Sequence, residues 1–165
     1  MRSRGLALAP CAALAAASVA LAAGPAPVAL PQLLAKQIAS ARASGLPVLI
    51  PSRLAAGLPA SHLYGSGGRS AGGYLIDLGA APGCGDANAC FVAAFGGGHG
   101  RLAFATRVAL ARGISGSFHA STCGASCAPA TLAWHEHGAL STIQCTAGRA
   151  TRQALADSAI TAGPR

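Results

Sequence analysis

Apolar residues return along this chain at two different periods, and the period changes near residue 74. Leu34, Ile38 and Ala41 recur at helical spacing, while Lys36, Gln37, Ser40 and Arg42 occupy the rest of the cylinder until Ser44 and Gly45. That pattern predicts a short amphipathic helix. Residues 46–51 form an apolar run bracketed by Pro47 and Pro51; proline cannot donate to a ladder, so this is an edge strand or an extended segment. Residues 57–73 end in a glycine-rich stretch and read as a loop. From Tyr74 the alternation has period two: Tyr74, Ile76 and Leu78 share one face, followed by Phe91, Ala93 and Phe95. Leu102, Phe104, Thr106, Val108 and Leu110 repeat it, with Arg107 opposite. These are strands, and residues 96–100 between the last two groups read as a hairpin loop. Residues 114–118 give a further strand. Residues 131–134 and 139–145 give a hairpin around Glu136, His137 and Gly138. After Gly148, Leu155, Ala156, Ala159 and Ile160 restore helical spacing up to Gly163 and Pro164. The expected fold is a single α+β domain: an antiparallel sheet of five or six strands with an N-terminal and a C-terminal helix packed on it.

The first residues follow another logic. Met1, Arg2, Ser3 and Arg4 precede an apolar, alanine-dominated run over residues 5–23, and Gly24, Pro25, Ala26 and Pro27 end it. A basic start, an apolar centre and the small residues Ala20 and Ala22 predict a signal peptide over residues 1–23. A flexible lead-in over 24–32 and the domain over 33–165 follow. The competing reading is an uncleaved anchor, since the run approaches the roughly 20 residues that span a bilayer. Pro10 before Cys11, with few apolar residues ahead of it, argues against a lipoprotein site.

Removing the leader takes away Arg2, Arg4 and Cys11. The rest is basic, within a chain of twelve Lys and Arg against four acids. The arginines are scattered from Arg42 to Arg165 with no basic run and no interleaved aromatics, which describes solvated charge and gives no nucleic-acid surface. The expected partner is an envelope protein or an anionic envelope polymer, with no membrane span after cleavage. Hydrophobic residues make up 52% of the chain but aromatics only 4%, so Ala, Leu, Val and Ile must build the core, and covalent staples would help it.

Five cysteines remain. Cys123 and Cys127 could be a redox pair, a zinc half-site or a staple. Thioredoxin-like chemistry wants a Cys-x-x-Cys at a helix start in a βαβ setting, whereas the spacing here is longer and the setting antiparallel. Zinc wants a second close pair, for which Cys84 with Cys90, or His119, are the candidates. An oxidising compartment takes thiols to disulfides, and the small residues Gly124, Ala125 and Ser126 suit a tight non-helical loop. Local bridges Cys123–Cys127 and Cys84–Cys90 are therefore expected, with Cys145 left as a buried structural thiol; spacing alone does not fix the connectivity. No metal and no cofactor are expected.

Other candidate chemistry is sparse. Gly68-Arg-Ser-Ala-Gly72 matches the pattern of a nucleophile elbow, which requires a strand before it and a helix after it; here glycines surround Ser70 and a strand follows. The carboxylates Asp77, Asp86, Glu136 and Asp157 are dispersed, leaving little for paired-carboxylate chemistry. His135 and His137 could seed a metal site, but Gly138 marks a hairpin tip and exposed turn residues. Residues 96–100 lack the Lys and Ser or Thr of a phosphate loop.

The sheet of hairpins, the tip from Trp134 to Gly138 and the closing-helix residues Ala156, Asp157 and Ser158 resemble uncharacterised bacterial exported domains. They are similar in outline to a domain of unknown function on extracytoplasmic regulators. The likeness covers roughly residues 74–163, brings no catalytic residues and implies a non-enzymatic envelope module. The expected function is therefore an exported, disulfide-stapled binding or structural module. The alternative is a small hydrolase or thiol enzyme centred on Ser70 or Cys145.

Overall fold

The computed structural model describes residues 28–84, 89–101, 106–124 and 127–165. The leader reading over residues 1–23 lies outside them, as do Leu102 and Phe104 of the alternating run. Two helical pieces open the described chain, α1 (Leu30–Leu33) and α2 (Ala35–Arg42). Leu30, Leu34, Ile38 and Ala41 point into the core from this pair, so Leu30, which the apolar pattern places in the lead-in, belongs to the domain. Residues 46–51 are extended and join no ladder. Val48, Leu49 and Ile50 are buried there, and two of their backbone groups find partners elsewhere: the Tyr74 hydroxyl accepts from Leu49 N–H at 3.0 Å, and the Val48 carbonyl accepts from Arg165 N–H at 2.9 Å.

The main sheet has seven strands: β1 (Tyr64–Ser70), β2 (Gly73–Gly79), β3 (Phe91–Gly98), β4 (Thr106–Ala109), β5 (Ser115–His119), β8 (Thr131–Glu136) and β9 (Ala139–Cys145). Between β5 and β8 lies a ribbon of two short strands, β6 (Thr122–Cys123) and β7 (Cys127–Ala128). The spatial order of the sheet is β1-β2-β3-β9-β8-β5-β4, with every pair antiparallel. A closing helix, α3 (Arg149–Ala162), begins four residues after β9. No helix among the described residues is long and apolar enough to cross a membrane.

Two expectations are corrected. The stretch read as a loop over 57–73 contains β1, which pairs residue for residue with β2 from Tyr64↔Gly79 to Ser70↔Gly73. Its glycines hide it, because no side chains alternate there; Gly65 is small because Leu34 and Gln37 of the helical layer press on it. Residues 96–98 are not a hairpin loop either. They belong to β3 and pair with β2 on one side and β9 on the other, while β4 sits at the far edge beside β5. The sheet is thereby larger than five or six strands.

Register aligns the apolar positions in rows across the sheet. Ile76, Phe95, Ile143, Leu132 and Phe118 follow one another on neighbouring strands, and Leu78, Ala93 and Cys145 make the next row. These residues and the inward sides of the helices form one core, in which Trp134 and Phe95 are fully buried. Each such large apolar side chain contributes about 2 kcal/mol when removed from water. The opposite sheet face carries Leu75, Thr142, Arg107 and Gln144, and Leu75 is 41% exposed.

Candidate functional site

The site grows out of the last residue of β9. Cys145 ends the strand on its core-facing side, so its thiol is buried. Its Sγ–H points at the Ala147 carbonyl at 3.8 Å. The chain then turns through Thr146, whose N–H donates to the Val92 carbonyl at 3.1 Å, and enters α3 with Gly148 as N-cap. One turn into the helix, Arg152 folds back: its Nη2 donates to the Cys145 carbonyl at 2.8 Å. Facing this corner is the β6–β7 ribbon, in which Cys123 and Cys127 stand directly opposite and are joined by a disulfide.

These elements border an open cleft of about 220 Å³, lined by Cys145, Thr146, Arg152, Cys127, Pro129, Phe91 and Ser121 among others. Its walls are mainly apolar, with a few polar groups converging on it, the ordinary makeup of a small-ligand site. Burial pushes the Cys145 thiol above its usual range, a shift that the Ala147 carbonyl contact and the Arg152 charge only partly offset. The thiol is therefore protonated at neutral pH and is a weak nucleophile.

Cys84 and Cys90 are joined by a second disulfide across the β2–β3 connection. Ser70 is exposed at the end of β1, and the chain returns through Ala71 and Gly72 directly into β2. That strand–turn–strand path is not an elbow's strand–turn–helix path. His135 lies on β8 and His137 at the hairpin tip with a left-handed backbone, φ +51°. The His137 Nε2 is 3.4 Å from the Glu136 carboxylate, which also accepts from the Trp134 indole at 3.4 Å. None of the histidines lines the cleft. Among the described residues no three His, Cys, Asp or Glu side chains gather as a metal site.

Arg152 is the residue that sequence reasoning passes over. Counted with the scattered arginines as solvated charge, it is only 7% exposed. A signal for this was present: Arg152, Leu155, Ala156 and Ala159 are spaced three, four and seven apart, so Arg152 falls on the buried stripe of α3. No family model matches the chain, and no curated protein or solved structure does.

Proposed function

We propose that the chain is an exported, disulfide-stapled binding module of the bacterial envelope, periplasmic or secreted, and that the cleft beside the β6–β7 ribbon receives its ligand. The observation that carries this reading is the construction of the cleft: one wall is a ribbon closed by a disulfide, the other the start of a helix anchored in the core. A site held in this way is organised before binding and spends little on ordering. The leader-like pattern of residues 1–23 supports export, and two disulfides suit an oxidising compartment. The resemblance to domains on extracytoplasmic regulators points the same way.

The enzyme alternative has less behind it. Ser70 lacks the elbow context, and Cys145 is buried, protonated and without a histidine in its cleft. The test is an amide-shift titration of the oxidised protein with a fragment library, run beside a turnover panel of esters, peptides and glycans. The binding reading expects shifts concentrated at Phe91, Ser121, Ala128 and Thr146, and no turnover. Hydrolysis abolished by Ser70→Ala or Cys145→Ala would establish the enzyme instead.

A further inference from the structure

The start of α3 carries its charge the wrong way round for a helix at rest. Helix N-termini favour acidic residues, because the unpaired N–H groups and the macrodipole place partial positive charge there. The first turn of α3 has no acidic residue and no side-chain cap, and it carries Arg149 and Arg152 instead. Both guanidinium groups gather on one ring, Arg149 at 5.1 Å and Arg152 at 5.9 Å from the Phe118 centroid. Arg152 is buried, and its Nε has no hydrogen-bond partner.

No carboxylate among the described residues answers these cations. Asp157 accepts from the Ala111 N–H at 2.6 Å. Glu136 is taken by Trp134 and His137. Asp77 aligns with Ala94 and Gln144, on the sheet face away from Cys145. The Cys145 carbonyl and the Phe118 ring compensate part of the Arg152 charge, but a buried charge with a spare donor favours an ionic partner.

We infer that the cleft takes the carboxylate of a small, mainly apolar ligand, with Arg152 receiving the anion and Arg149, which shares the Phe118 ring with it, adding to the field. This rests on the cleft being the ligand site. Guanidinium groups pair with carboxylates through parallel N–H donors, and the remaining walls, with Phe91, Ala128, Pro129 and Ala130, suit an apolar body behind the charged group. Of the two cations only Arg152 lines the cleft and is buried, and one negative charge balances it, which favours a carboxylate over a phosphate dianion.

The experiment uses the oxidised full chain and three probes of defined charge at constant ionic strength: benzoate, benzyl alcohol and inorganic phosphate. Affinities come from titration calorimetry and the site from amide shifts and the arginine Nε–H signals. Benzoate is expected to bind saturably, moving the Arg152 Nε–H together with the Ser121 and Thr146 amides. Benzyl alcohol should bind about tenfold more weakly or worse, as expected when a charge-assisted hydrogen bond is lost. Arg149→Gln should weaken benzoate about threefold and leave benzyl alcohol unchanged, since an exposed charge acts through a screened field. Arg152→Lys, where it folds, should lose the paired-donor geometry and about tenfold in benzoate affinity; the wild-type Nε–H signal and Arg149→Gln decide the matter if it does not fold. Equal binding of benzoate and benzyl alcohol in the cleft would overturn the anion inference and leave the cleft reading standing. Tighter binding of phosphate than of benzoate would overturn the choice of carboxylate. Absence of cleft shifts with every probe would remove both the inference and the cleft reading beneath it.

Discussion

Tyr74 ties three parts of the molecule through one side chain. Its hydroxyl accepts from the Leu49 N–H at 3.0 Å in the extended segment, and its ring lies over Gly97 of β3 so closely that a Cβ there would meet it. Tyr74→Phe should cost about 1–3 kcal/mol, because the buried Leu49 N–H loses its acceptor. Gly97→Ala should cost a similar amount, about 1–3 kcal/mol, by overpacking. The two act on one ring, so the double variant in urea denaturation should depart from additivity, whereas an additive result would mean the ring and the glycine are energetically independent. Burial also sets a pH dependence. It pushes both the Tyr74 hydroxyl and the Cys145 thiol up, so across the affected range the folded state holds protons that the unfolded state has released. Stability should therefore be level below the ordinary cysteine value of 9.0 and fall as pH rises beyond it, with a further fall beyond the ordinary tyrosine value of 10.0. Denaturation midpoints measured from neutral to alkaline pH check this, and Cys145→Ala should remove the earlier part of the decline alone. The place of Tyr74 could be read from its alternation with Ile76 and Leu78. Its hydroxyl partner could not, because Leu49 is distant in sequence and meets it only through tertiary packing.

Among the elements, α3 and the β4–β5 hairpin hold each other by polar contacts around a short 3-10 turn (Ala111–Gly113). Asp157 accepts from the Ala111 N–H at 2.6 Å, the Arg112 guanidinium donates to the Thr161 carbonyl at 3.0 Å, and Gln153 donates to the Ala109 carbonyl at 2.9 Å. Asp157→Ala should cost about 1–3 kcal/mol by stranding a part-buried N–H, and amide exchange should quicken in the β4–β5 hairpin before the rest of the sheet. Uniform quickening would show that this corner opens only with the whole domain. The alternating strands and helices α2 and α3 were legible because their side chains repeat at the period of the element, whereas most of α1 fell within the stretch read as a lead-in. Strand β1 and the end of β3 were not, because Gly65, Gly67, Gly68 and Gly96 to Gly98 present no side chains to alternate; their pairing depends on cover supplied by Leu34 and Tyr74. The cleft was half legible: Cys127 and Cys145 stood out as cysteines, whereas Arg152 looked like one more dispersed charge.

At the scale of the molecule, a sheet with few aromatics is covered on one face by two short helices and α3, and two short covalent loops brace it. Each bridge spans few residues, Cys84 to Cys90 and Cys123 to Cys127, and in the chain-entropy treatment a loop of that size stabilises by about 2 kcal/mol. Replacing Cys123 and Cys127 together by Ser should lower stability by about that amount and leave the seven-stranded sheet intact, because the ribbon lies outside it. We propose an exported module held by two local bridges, with Cys145 as a buried free thiol. Non-reducing peptide mapping of the full chain, recovered from the periplasm or medium of a producing bacterium and alkylated before and after unfolding, tests it most directly. The expected result is a mature start between residues 23 and 30, each bridge within a single short peptide, and Cys145 labelled only after unfolding. A chain retaining Met1 in the membrane fraction, or a bridge from Cys145 to either cysteine pair, would contradict it.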